Sequence, residues 1–93
     1  MTLEIPNIII YTISGCSSCA ALKKLLKENL IKYREIDADK EENYLEMARV
    51  SGQKEKVGEV YTPVTLIWTN KWEGKCFIGY KNTESNIKSA LNI

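Results

Sequence analysis

Histidine is missing from all 93 residues of this chain. That absence removes imidazole acid–base catalysis and the mixed Cys/His zinc patterns together. Cysteine is scarce and odd in number, three in all with two inside one motif, which does not fit the paired framework of a secreted disulfide scaffold. Neither sign of charge dominates: thirteen Lys and Arg stand against twelve Asp and Glu, a net charge of +1. Such a balance leaves no electrostatic footprint for nucleic acid or for an anionic membrane. Long apolar runs are lacking too. Residues 8–13 form a run of only six, far below the ~20 that a membrane-spanning helix needs. The start carries Glu4 and Pro6 and no basic leader, so no secretory signal is expected and the protein is placed in the cytoplasm.

What is present is 44% apolar and 27% charged, the composition of a soluble globule. The length suits a single domain over residues 1–93, burying about 60–65% of the surface its unfolded chain exposes. No internal repeat, low-complexity tract or linker interrupts it.

Ile8-Ile9-Ile10-Tyr11-Thr12 is β-branched and aromatic without alternation, the pattern of a central strand buried on both faces. Leu22, Leu25, Leu26 and Leu30 then recur at three- and four-residue spacing opposite Lys23, Lys24 and Lys27, which predicts an amphipathic helix over 17–29. Residues 32–37 read as a half-exposed strand with Tyr33 or Ile36 inward. Asp39, with Glu42 three positions on, reads as a capping box opening a second helix. Tyr44, Leu45, Met47 and Ala48 form the apolar face of that helix, and Gly52 is its stop. Residues 53–59 read as a solvated connector or a frayed extension of the helix. Pro63 suits the first position of a strand over 64–68. A turn over 69–74 and a return strand over 75–78 complete a hairpin. Asn82 or Thr83 then caps a last helix that turns Ile87, Ala90 and Leu91 inward. The order is β-α-β-α-β-β-α, an α/β fold.

Chemistry is concentrated at Cys16-Ser17-Ser18-Cys19. The first cysteine falls at a helix start, where free backbone N–H groups and the positive end of the helix dipole favour a thiolate and depress the thiol pKa. Cys16 is therefore expected to be the nucleophile and Cys19 the resolving thiol of a mixed disulfide. Ser17 and Ser18 are candidate hydroxyl donors to the sulfur and leave their backbone N–H groups available. A structural zinc site wants four ligands, and only Cys76 and carboxylates remain to complete one, so no metal ligands are assigned. Cys76, beside Phe77 and Ile78, is expected to be a buried core or bystander residue, with a regulatory thiol as the alternative.

Tyr11-Thr12-x-x-Gly15-Cys16-x-x-Cys19, Thr62-Pro63-Val64 and Gly79-Tyr80 together resemble the glutaredoxin and small thioredoxin family, over nearly the whole chain. The resemblance implies a thioredoxin fold, with a four-stranded mixed sheet in order 2-1-3-4 flanked by three helices. It also implies a cis peptide bond before Pro63. The backbone of Thr62 would then face the dithiol and pair with an extended substrate segment. Tyr11, Ser17, Ser18, Thr62, Pro63, Gly79 and Tyr80 become candidate substrate-binding residues. Glutaredoxins that use glutathione usually carry a lysine where this chain has Ile13, and a Gly-Gly pair where it has Gly79-Tyr80. Gly79-Tyr80-Lys81 is nearer the glutaredoxin-like electron donors of ribonucleotide reductase.

The function this implies is a dithiol–disulfide oxidoreductase acting on disulfide-containing proteins as a monomer. No bound cofactor is expected, and a flavin-dependent, thioredoxin reductase-like partner would restore the dithiol, with glutathione as the alternative reductant. Two other classes stay open: a metal or iron–sulfur carrier, and a non-catalytic module that offers only the Thr62-Pro63 groove to a partner.

Overall fold

The computed structural model describes residues 7–56, 60–68 and 74–93. The expected start of the chain, the later part of the 53–59 connector and most of the 69–74 turn lie outside these residues. The elements run β1 (Asn7–Thr12), α1 (Ser17–Glu28), β2 (Arg34–Asp37), α2 (Glu41–Ser51), β3 (Val64–Trp68), β4 (Gly74–Ile78) and α3 (Glu84–Leu91). The four strands form one sheet in the order β2-β1-β3-β4. β1 pairs parallel with β2 and antiparallel with β3, and β4 runs antiparallel to β3. This is the thioredoxin-type arrangement, with β1 and β3 central as their unalternating apolar sequences require.

Successive side chains of β1 enter different cores, because neighbouring residues of a strand face opposite sides of the sheet. Ile8 and Ile10 join Leu22 and Leu26 of α1, Ile67 of β3, and Tyr80 and Ile87. Tyr11 joins Met47 and Ala48 of α2, Val64 of β3, and Ala38 and Val60. Tyr33 packs against the first cluster and Ile36 against the second. Tyr33, just before β2, and Ile36 within it thus serve one face of the sheet each.

All three helices end alike, with a left-handed residue beyond the last turn: Leu30 (φ 57°), Gly52 (φ 72°) and Asn92 (φ 58°). In α1 the Leu30 N–H reaches the Lys27 carbonyl and the Ile31 N–H reaches that of Leu26, the paired bonds of a Schellman end. Leu30 therefore does not continue the apolar face of α1 as its spacing suggests. The Asn29 side-chain amide donates to the Leu25 carbonyl at 2.8 Å, the helix stops, and Leu30 stands 91% exposed. Ile31 takes its place against the core.

A second expectation also fails. Asp39 does not cap α2; Lys40 holds the cap position without a side-chain bond, and the Asp39 carboxylate is used elsewhere. Thr83 occupies the cap position of α3, but its hydroxyl donates to the carbonyls of Gly79 and Tyr80 and caps no N–H.

Candidate active site

β1 leaves the sheet at Thr12 on the end where β3 enters it, since Tyr11 pairs with Val64 in the antiparallel register. The loop after β1 and the segment before β3 are thereby brought side by side. Gly15, with φ 72°, turns the loop through a conformation that costs an L residue about 1 kcal/mol or more, and α1 begins two residues later.

Cys16 is the N-cap of α1, in extended conformation, and its Sγ accepts the Cys19 backbone N–H at 3.0 Å. A sulfur at this position meets an otherwise unpaired helix N–H and the positive end of the dipole, both of which favour negative charge. Cys16 and Cys19 are joined as a disulfide with Cα atoms 5.2 Å apart. Their exposures differ: Cys16 is half-buried and Cys19 only 2% exposed. One sulfur is open to an incoming group and the other lies beneath it.

The Thr62–Pro63 peptide bond is cis, and the Thr62 hydroxyl lies 3.7 Å from Cys16 Sγ. Pro63 is buried and its carbonyl accepts the Gly79 N–H at 2.8 Å. Cys16, Cys19, Thr62, Pro63 and Gly79 therefore form one connected group. Ser17 is exposed and Ser18 half-buried at the start of α1, but the contacts to the Cys16 sulfur come from Cys19 and Thr62.

Tyr11 and Tyr80 lie elsewhere, as core residues. Tyr11 is 3% exposed, and its hydroxyl donates to Glu46 at 2.8 Å. Burial, then the Glu46 carboxylate, pushes this phenol up to about 12. Tyr80 is 7% exposed among the α1 and α3 side chains, and burial raises its pKa too. Neither ring offers a surface to a substrate. The side chain after β1 that stands in the place of a glutathione-binding lysine, Ile13, packs against the α2 core, and Lys81 is exposed.

Cys76 departs from its expected burial. It sits on β4, the sheet edge, and is exposed; the apolar cluster on that face ends at Val64 and Leu66 of β3. Partial burial of the thiol itself still raises its pKa. Among the described residues, no three of His, Cys, Asp and Glu come together as a metal site.

Two residues that support the site carried no signal for it in the sequence. The Ala38 N–H donates to the Thr12 carbonyl at 2.8 Å, carrying the β1–β2 pairing one step further. Asp39 thereby arrives beside Ser14 and accepts its backbone N–H at 3.1 Å and its hydroxyl. Beyond α2, the Gln53 side chain bonds the backbone of Tyr61, the residue before Thr62. Aspartate at a helix start is an ordinary cap by sequence, and a glutamine in a charged connector is ordinary solvated chain. Only the fold gives them these partners.

A sequence model of the glutaredoxin family matches residues 8–61. Among solved structures, a glutaredoxin from Methanosarcina mazei Go1 superposes with a TM-score of 0.65 at 25% identity, over 94% of this chain and 79% of that one. Glutaredoxin 1 from Francisella tularensis, solved in complex with cacodylate, gives 0.64 at 21% identity, over 95% and 99%. A glutaredoxin from Brucella melitensis gives 0.57 at 27% identity, over 92% and 86%. No curated protein sequence matches this chain.

Proposed function

For a chain that belongs to the glutaredoxin family, we propose a protein disulfide reductase working through Cys16 and Cys19. The observation that carries this reading is the unequal pair: a half-buried, N-capping Cys16 over a Cys19 that is 2% exposed. In the reduced protein the Cys16 thiolate attacks one sulfur of a substrate disulfide. A Cys16–substrate bond forms, the substrate S–S bond breaks, and the other substrate sulfur leaves as a thiolate that takes up a proton. Cys19 then gives up its proton and attacks Cys16 Sγ, which closes the Cys16–Cys19 disulfide and releases the second substrate thiol. Two electrons pass from the Cys16–Cys19 pair to the substrate, with one proton supplied by Cys19 and the other by solvent.

Thr62 stands at the sulfur, and its backbone is the edge on which an extended substrate segment adds. The electron source we propose is a flavin-dependent, thioredoxin reductase-like enzyme and not glutathione. Ile13 packs against the core where a carboxylate-binding cation would be needed, and Lys81 is an exposed side chain beyond Gly79. We place the protein in the cytoplasm, acting as a monomer. No helix among the described residues is long and apolar enough to cross a membrane.

A coupled assay with NADPH tests both parts. Turnover of an insulin disulfide is expected with thioredoxin reductase and at most weakly with glutathione and its reductase; the reverse preference would exclude the proposed donor. Cys19→Ser should accumulate a mixed disulfide with the substrate, and Cys16→Ser should lose turnover. Full activity in Cys16→Ser would exclude the dithiol mechanism.

A further inference from the structure

Gln53 opens the connector between α2 and β3, and its backbone N–H and both polar atoms of its side chain are bonded. The N–H donates to the Ala48 carbonyl at 2.9 Å, which fixes the backbone on the end of α2. Side-chain Oε1 accepts the Tyr61 N–H at 2.9 Å. Nε2 donates to the Tyr61 carbonyl at 3.3 Å and to Ser51 Oγ at 2.9 Å. Ser51 commits its own hydroxyl proton to the Met47 and Ala48 carbonyls, at 2.8 and 3.1 Å. A reversed amide would set acceptor against acceptor at Ser51 and donor against donor at Tyr61, so only one orientation is satisfied.

Bonds to the N–H and the C=O of one residue are what a neighbouring strand supplies in a ladder; here one side chain supplies both. The preceding residue is held as well, its Val60 N–H donating to the Tyr44 hydroxyl at 3.1 Å. While the Tyr61 backbone is fixed in this way, its side chain is 74% exposed. The next residue is Thr62, 3.7 Å from the Cys16 sulfur.

We propose that Gln53 is a positioning residue for substrate binding: by occupying both backbone polar groups of Tyr61, it sets the height of Thr62 against Cys16 and leaves Thr62 as the backbone a substrate strand meets. The proposal rests on the dithiol reading above. It separates two kinds of oxidant. A disulfide within a peptide has amides to pair with Thr62; a small aromatic disulfide such as 5,5′-dithiobis(2-nitrobenzoate) has none.

The test measures kcat and KM of wild type, Gln53→Leu and Gln53→Glu on a disulfide-linked peptide and on that small disulfide, with hydrogen exchange at the Tyr61 amide alongside. Losing the clamp frees both backbone groups of Tyr61, so Gln53→Leu should raise KM for the peptide about tenfold, with a several-fold smaller loss on the small disulfide. The Tyr61 amide should lose protection. Gln53→Glu keeps an acceptor for the Tyr61 N–H but sets a carboxylate against the Tyr61 carbonyl. Its peptide activity relative to wild type should rise as pH falls from ~7 towards the ~4.3 of a free glutamate, while the Gln53→Leu ratio stays flat. An active wild type with unchanged selectivity in Gln53→Leu, or with unaltered Tyr61 exchange, overturns the positioning role alone. A wild type inert on both oxidants overturns the dithiol reading and the substrate role with it.

Discussion

Asp39 holds Ser14 at two points, accepting its backbone N–H with both carboxylate oxygens, at 3.1 and 3.2 Å, and its hydroxyl proton as well. Ser14 stands two residues before Cys16, so the loop that presents Cys16 hangs from the end of β2. The Ser14 hydroxyl first, then its N–H, holds the Asp39 carboxyl below the ordinary aspartate value.

Acid should release this contact. Because the folded-state pKa is depressed, the stabilisation is present above the unfolded value of 3.8 and is lost as pH falls through the lower, folded one. Glu35 follows the same sign, held down chiefly by the Thr12 hydroxyl and then by Lys23. Urea unfolding midpoints should therefore drop between pH 5 and pH 3, and drop less in Asp39→Ala. Equal acid losses in the two proteins would show that the Ser14 contact contributes nothing.

Alkylation should rank the cysteines of the reduced protein. Cys16, capped by the Cys19 N–H and half-buried, should react with iodoacetamide with a pH midpoint below the ~8.5 of a free cysteine. Cys76 follows, since burial raises its thiol, and Cys19 comes last for want of exposure. Peptide mapping at neutral pH reads the order directly. Cys76 modified ahead of Cys16 would contradict the helix-terminus argument.

Leu30 combines a left-handed backbone with a side chain that buries almost nothing. Leu30→Gly relieves the backbone and forfeits no packing, and should stabilise the fold by about 0.5–1 kcal/mol. Thermal unfolding should shift upward by several degrees, at about 4–8 °C per kcal/mol for a domain of this size. A lower midpoint would mean that Leu30 makes contacts its exposure does not suggest.

Thr65 is fully buried on β3, and its hydroxyl has no hydrogen-bond partner. A buried polar group left unpaired costs about 1–3 kcal/mol. Thr65→Val keeps the shape and the β-branch, and should raise stability by about 1 kcal/mol in denaturant titration. Destabilisation would indicate that the hydroxyl is satisfied in solution.

The fold was legible because its signals are local. β1 announced itself by an unalternating apolar run, α1 by leucine spacing, α2 by the glycine after Ser51. Cys16 and Cys19 were legible for the same reason, as was the proximity of Thr62 once the family pattern was seen. What escaped was tertiary. Asp39 is chemically suited to cap α2, and nothing in the 39–42 stretch says that Ser14, 25 residues earlier, takes the carboxylate instead. Gln53 bonds a residue eight positions on, across a connector without periodicity. Tyr11 and Tyr80 belong to the motifs themselves, yet strand alternation and core packing turn them inward. Cys76 has apolar neighbours along the chain, but edge position, not local composition, decides its exposure.

The antiparallel pairing of Tyr11 with Val64 has a bearing on synthesis at the ribosome. The dithiol is translated early, but the threonine that flanks its sulfur follows 46 residues after Cys16, and β3, the strand that makes β1 central, begins beyond it at Val64. Until β3 has left the exit tunnel, the nascent chain carries two unguarded thiols and a strand with one open side. Completion of the surroundings of Cys16 and closure of the sheet therefore depend on the same late-translated segment.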